Sequence, residues 1–305
     1  MRKGTLFLGM ILWCTLSIAQ PKYFENTFSW VTIQQGHEVI LVNDTAYLIV
    51  GRQLSITDNL ARSFGLLVNQ YGDSIRLDVY PSNGEEQHYV EDIVTTKDGF
   101  AIASCVEHIE GQCSSSLILL DDKGLYQKIE VLGDMGFNNG VRTILKGRND
   151  NLFLGGHIIK SFLWEAYLIK TDKEGNKIWE KTYSLDSNSN HTIRDIQPAK
   201  EGGYYLLMIT NLNFNTNPES GDIMIRKIDE EGNKEWDRVY NLGEVDQAWR
   251  LVPTIDEGFL LCGVIGSGNS AFIKLDVSFE VEWISEGIYP YCSINTMLQL
   301  EDGNY

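Results

Sequence analysis

The chain has 305 residues, of which 43% are hydrophobic and 22% charged. That is the composition of a globular rather than a disordered protein, and it is enough chain for one large β domain. A formal net charge of -17 repels phosphate backbones and anionic membrane surfaces, so nucleic acid is excluded as the expected partner.

Residues 1–19 read as a secretory signal peptide. Arg2 and Lys3 supply the basic start, Thr5 to Ile18 is almost wholly apolar, and Ser17-Ile18-Ala19 offers small residues at the outer positions of a cleavage site. The apolar run is too short for a comfortable transmembrane helix, and Trp13 is too bulky for lipoprotein processing at Cys14. No second apolar span follows, so no membrane span is expected after cleavage. The rest of the chain, 20–305, is expected to be secreted or at the cell surface, with a net charge of -19 once Arg2 and Lys3 are removed.

Past the leader, Phe28 to Ile33 resembles an outermost strand, Glu38 to Val42 an innermost one, and Ser55 to Phe64 is the only segment with short helical character, expected as a loop insertion. A turn followed by an aromatic residue and an apolar strand then recurs: KDGFAIAS (97–104), NDNLFLGG (149–156), EGGYYLLM (201–208), DEGFLLCG (256–263) and EDGNY (301–305), with a weaker copy at NDTAYLIVG (43–51). Aligned on the residue that opens the strand, the copies sit at Ala46, Gly99, Asn151, Gly203, Gly258 and Asn304, about fifty residues apart. A second element interleaves with it: an apolar strand, an acidic turn with glycine, then a strand often carrying tryptophan. YLIKTDKEGNKIWEKTY (167–183) and IMIRKIDEEGNKEWDRVY (223–240) are the clearest copies, with weaker ones at 65–80, 116–131 and 271–287.

Each repeat resolves into four short strands, a to d. In the repeat from His191 to Asn241 they are TIRDIQPA, YYLLMITN, IMIRKID and KEWDRVY, joined by Glu-Gly-Gly and Asp-Glu-Glu-Gly-Asn turns whose glycines supply positive φ. Strands b and c are rich in Leu, Ile, Met and Tyr, as expected of strands buried on both faces between neighbouring sheets. The expected fold is therefore all-β, a β-propeller of five to six four-stranded blades with the last one incomplete. A β-solenoid usually has shorter repeats, and a row of β-sandwiches needs about 100 residues per unit. The pattern stops at EDGNY, the start of a strand b, so the expectation is that further sequence beyond Tyr305 completes the blade, since an open arc would leave a sheet edge bare.

At LIKTDKEGNKIWEKTY and IQPAKEGGYYLLMI the chain resembles the secreted propeller-repeat proteins of Bacteroidota, over about Trp30 to the end. Many of that group carry a C-terminal sorting domain read by the type IX secretion system; none is present in this sequence. The resemblance implies export and architecture, and the group usually has no assigned enzyme activity.

The chemistry-bearing residues are scattered. The Asp-x-x-Gly-Asn turns offer two or three carboxylates, which hairpin chemistry explains without calcium. Their spacing also differs from the Asp-box of sialidases. The Gly-x-x-x-Trp at Gly175–Trp179 and Gly232–Trp236, shared with quinone-dependent dehydrogenases, is architectural, with no cofactor-pocket motif beside it. No Gly-x-Ser-x-Gly elbow and no CxxC or His/Cys cluster occurs, so no catalytic residue, cofactor or metal is assigned. Cys105 and Cys113 flank a short polar hairpin loop and are candidates for a disulfide; Cys262 and Cys292 are paired or buried free. His37, His88 and His191 precede inner strands, near the rim where polar loops gather at 184–192, 211–222 and 241–249. His88, His191, Asp246 and Trp249 are the candidate ligand-contacting residues on that rim, in a setting suited to carbohydrate or a cell-surface protein. The expected function is a non-enzymatic binding or scaffold protein; the alternative is a glycan-active hydrolase or lyase using rim acids.

Overall fold

The computed structural model describes residues 32–290, except 56–59, 81–86, 109–110, 135, 185–188, 213–220 and 267–268. Twenty strands form five four-stranded antiparallel sheets, each built from consecutive strands. Blade one holds β1 (Thr32–Asn43), β2 (Ala46–Ser55), β3 (Ala61–Asn69) and β4 (Ser74–Tyr80). Blade two holds β5 (Gln87–Thr95), β6 (Gly99–Glu107), β7 (Cys113–Asp121) and β8 (Tyr126–Val131). Blade three holds β9 (Asn139–Lys146), β10 (Leu152–Lys160), β11 (Leu163–Thr171) and β12 (Lys177–Tyr183). Blade four holds β13 (Asn190–Pro198), β14 (Tyr204–Leu212), β15 (Asp222–Ile228) and β16 (Lys234–Tyr240), and blade five β17 (Gln247–Pro253), β18 (Phe259–Ile265), β19 (Asn269–Leu275) and β20 (Val281–Pro290). The first strand of each blade packs against the first strand of the next, which puts β1, β5, β9, β13 and β17 around a common axis. This is a β-propeller, as the repeats predict.

The hydrophobic effect acts between blades rather than within them. Leu48 and Val50 of blade one share a buried cluster with Ile102 and Ile118 of blade two, and three further clusters join blades two to three, three to four, and four to five. Burying a side chain of this size is worth roughly 1.5–3 kcal/mol, so each interface far outweighs any single hydrogen bond. Val39 and Leu41 on blade one and Trp283 on blade five are exposed, because no other described blade lies against those faces.

The recurring turn and aromatic residues now have a physical role. Asp172 accepts the Asn176 amide at 2.8 Å, and Asp229 accepts the Glu231 and Asn233 amides at 3.0 and 2.7 Å. The carboxylates thus close their own turns. Gly175 and Gly232 take φ of +87° and +80° there, a region that glycine enters without steric cost. Each turn is also a dock for the preceding blade. The hydroxyls of Tyr80, Tyr183 and Tyr240, at the ends of outermost strands, donate to the carbonyls of Gly124, Gly232 and Phe279 in the next blade at 2.9, 2.9 and 2.7 Å. Trp236 lies beside Phe279, ring centroids 5.1 Å apart.

Three expectations are corrected. Ala61 to Phe64 is not helical: it opens β3, pairing with β2 from Leu54 to Gly51. Thr32 and Ile33 do not belong to a separate outermost strand, for they begin β1, which runs on to Asn43; Phe28 lies outside the described residues, as do the leader and 291–305. Cys105 and Cys113 are both free thiols. Register explains this: Cys105 lies opposite Ser115 and Cys113 opposite Glu107, so the cysteines are diagonal neighbours, about 7–8 Å apart at Cα, beyond the usual span of a disulfide.

Candidate functional site at the propeller axis

Every inner strand carries a β-bulge at the same place in the repeat. The residues skipped in the pairing are His37, Glu91, Arg142, Arg194 and Trp249. A bulge leaves one residue unpaired in the ladder, and here it falls at the same position of every inner strand. The close approach at the bulge demands a small neighbour in strand b: a Cβ on Gly156 would lie 2.0 Å from the Gly140 carbonyl oxygen, and one on Gly263 1.9 Å from that of Gln247.

The residues following the bulge form a lower ring of Glu38, Asp92, Thr143, Asp195 and Arg250. Arg250 is its hub. Its Nη2 donates to Glu38 Oε1 across 212 residues of sequence, and its Nη1 lies 3.6 Å from Asp92 and 3.9 Å from Asp195. One guanidinium of blade five therefore reaches blades one, two and four. The acids also stitch adjacent blades. Asp92 accepts the Ile144 amide at 3.0 Å and the Thr143 hydroxyl at 3.1 Å, and Asp195 accepts the Leu251 amide at 2.8 Å. Burial pushes the Asp195 carboxyl up to about 6 against the pull of Arg250. Burial works against the Arg250 charge, but Asp92, Asp195 and Glu38 together more than offset it and raise its pKa.

The bulged residues form the upper ring, and its charge is of the opposite sign. Arg142 donates to both oxygens of Glu91, at 3.2 and 3.3 Å. Burial raises Glu91, while Arg142, Arg194 and Arg52 pull it back down, which puts three guanidinium groups within reach of one acid. Arg194 is enclosed enough that burial, then Arg142, lower its pKa to about 10. Its Nε has no protein hydrogen-bond partner among the described residues, and the same holds for His37 Nε2 and His157 Nδ1. His157 stacks on Trp164 with ring centroids 3.8 Å apart, and burial with Arg142 and Arg194 lowers its pKa to about 3, so the ring is neutral. Between blades one and two a cavity of about 290 Å³ is lined by Gln35, Arg52, Gln87 and Tyr89. Arg52 is held there by Gln35, donating to its Oε1 at 2.8 and 3.1 Å, and lies 5.9 Å from the Tyr89 ring.

Of the four residues singled out from sequence, Trp249 stands in the upper ring. His88, His191 and Asp246 share one register position, three residues before the bulge, together with Asn139, and all four are buried. Asp246 accepts the Leu242, Gly243 and Gly266 amides, and Asn139 accepts Ser115 N at 2.7 Å while donating to the Asp134 and Phe137 carbonyls. Asp246 and Asn139 thus tie inter-strand loops to the blades. Sequence reasoning missed Arg142, Arg194 and Arg250. Their signal is a polar pair at constant offset ahead of an apolar strand, His37-Glu38, Glu91-Asp92, Arg142-Thr143, Arg194-Asp195 and Trp249-Arg250.

The strand pairing and the axial rings define the class: a β-propeller with a charged axis. No protein-family profile matches the sequence, and no curated protein matches it either. Among solved structures, a tryptophan-to-alanine variant of Synechocystis apocarotenoid oxygenase is 11% identical, with a TM-score of 0.44 over 80% of this chain and 59% of that one. The β-propeller domain of the Trilobed protease from Pyrococcus furiosus, described as having an open velcro topology, is 13% identical, with a TM-score of 0.34 over 82% of this chain and 79% of that one. Likeness at this level carries no argument about activity, and the fold assignment rests on the pairing itself. The chain spans 59% of the oxygenase chain. Among the described residues, no helix is long and apolar enough to cross a membrane.

Proposed function

We propose that the protein is an exported, non-enzymatic binding module that holds its ligand at the axial mouth formed by the upper ring. One observation carries this reading: Arg194, His37 and His157, all within the electrostatic reach of Arg142, each keep an enclosed polar nitrogen without a protein partner among the described residues. Buried polar groups are ordinarily satisfied, and those left over in a fold mark a place where something else completes them. The lower ring supports a static axis. The Asp92 and Asp195 oxygens already accept main-chain amides from neighbouring strands, so the acids a hydrolase would use at the axis are engaged in joining blades. Export rests on the leader at 1–19 and on the resemblance to Bacteroidota repeat proteins, with type IX secretion the route that resemblance implies. Carbohydrate and cell-surface protein are the partner classes. A glycan array probed with the wild-type protein and with an Arg142→Ala/Arg194→Ala variant tests the reading: binding by the wild type that is lost in the folded variant supports it, and wild-type binding that the variant retains overturns the axial assignment.

A further inference from the structure

Resting on that reading, we propose that the axial mouth recognises a carboxylate, specifically that of a uronic-acid residue in an acidic glycan. The charges at the mouth decide the ligand class. Arg142 is paired with Glu91 through both carboxylate oxygens, and Arg52 is held by the neutral Gln35 side chain. The Nε of Arg194 is enclosed and has no hydrogen-bond partner among the described residues. The one acid that acts on it, Glu91, is already held by Arg142; an enclosed guanidinium left with so little compensation is costly for a fold to keep, and its planar donor fork matches a carboxylate in two-point contact. The unpartnered ring nitrogens of His37 and His157 belong to residues that, like Arg194, lie within the electrostatic reach of Arg142. Arg142 and Arg194 act on His157, and Arg52 and Arg142 on His37, each lowering the imidazole pKa after burial has done so. Both rings are thus pushed toward the neutral form, in which one nitrogen donates and the other accepts, a pairing suited to sugar hydroxyls.

Charge also selects among anions. Glu91 belongs to the same ring and repels a dianion such as phosphate more strongly than a monoanionic carboxylate. The remaining features suit a sugar. The cavity of about 290 Å³ between blades one and two offers amide side chains, Gln35 and Gln87, beside the face of Tyr89. Trp249 occupies the fifth position of the ring. Polar side chains with aromatic faces close by are the means by which a pyranose is held. On a chain of net charge -17, a concentration of guanidinium groups at one mouth of the axis stands apart from the rest of the surface.

Isothermal titration of the purified chain with trigalacturonate, with its methyl ester and with inorganic phosphate tests this. Trigalacturonate is expected to bind at least tenfold more tightly than the ester or phosphate. Arg194→Met is expected to weaken it by at least tenfold with an unchanged circular dichroism spectrum, and Arg194→Lys to leave an intermediate affinity, which guards against misfolding of the first variant. Equal affinity for acid and ester overturns the carboxylate claim while leaving the binding mouth standing, and phosphate binding as tight as trigalacturonate overturns selection for a uronate. Binding of neutral glycans alone, lost in Arg142→Ala/Arg194→Ala, likewise removes this inference and keeps the proposed function. Acid-selective binding unaffected by Arg194→Met removes both.

Discussion

Arg250 of the fifth blade donates a hydrogen bond to Glu38 of the first, 212 residues away in sequence, with Asp92 and Asp195 also within 4 Å of the same guanidinium. Three half-buried or buried acids therefore depend on one cation. Removing one member of such a cluster leaves the others desolvated and uncompensated, a loss of about 3–5 kcal/mol. Arg250→Met is expected to lower the urea midpoint accordingly without altering the denaturant slope. An unchanged midpoint would show that the ring does not hold the inner strands.

Asp195 should make this axis sensitive to pH. Its carboxyl titrates near 3.8 when exposed and near 6 in the fold, so the folded state binds the proton more tightly. The stabilisation this provides is complete below pH 4 and is lost as pH rises through 6, an effect of roughly 3 kcal/mol at most. Asp195→Asn removes that titration. The stability of the variant relative to wild type should improve between pH 4 and pH 7 in urea unfolding experiments; a constant difference would contradict the burial argument.

The tyrosine hydroxyls test the coupling between blades. Tyr183→Phe deletes the donor to the Gly232 carbonyl and leaves that buried acceptor without it. A cost of about 1–2 kcal/mol is expected, and Tyr240→Phe, which loses the bond to Phe279, should behave alike. The double variant should be additive, because the two bonds lie in different interfaces. Thermal melts of the three proteins measure this.

Thiol chemistry tests the register of the second blade. Cys113 is half-buried, whereas Cys105 is buried and its thiol is pushed up to about 12 by burial first and by Glu91 next. Native protein should be alkylated at Cys113 and spared at Cys105, with both reacting after denaturation without a reductant. A Cys105–Cys113 bridge found by peptide mapping would contradict the pairing of Cys105 with Ser115.

The repeat was legible because what recurs is what folds a blade. The strands read from Thr192, Tyr204, Ile223 and Lys234 start within β13 to β16 and end within one residue of them, since their apolar runs and glycine turns obey local rules. The first inner strand was read too short, starting at Glu38, because the bulge at His37 interrupts the alternation that marks a strand. The axial rings stayed hidden for a related reason. Arg194-Asp195 and Glu91-Asp92 look like ordinary solvated pairs at a strand start, and only the closing of five blades on one axis brings them together. Conversely, His88, His191 and Asp246 looked like rim residues from their place before inner strands, yet their register position lies inside the blade.

The central claim is that Arg194 is kept for binding and not for folding. The most direct test measures both properties on one substitution, Arg194→Met, by urea unfolding and by titration with trigalacturonate. An enclosed guanidinium whose Nε has no hydrogen-bond partner should be a liability to the fold, so the variant is expected to be as stable as wild type or more so, by about 1–2 kcal/mol, while its affinity falls at least tenfold. A variant that loses several kcal/mol of stability and binds as before would show instead that Arg194 holds the propeller together.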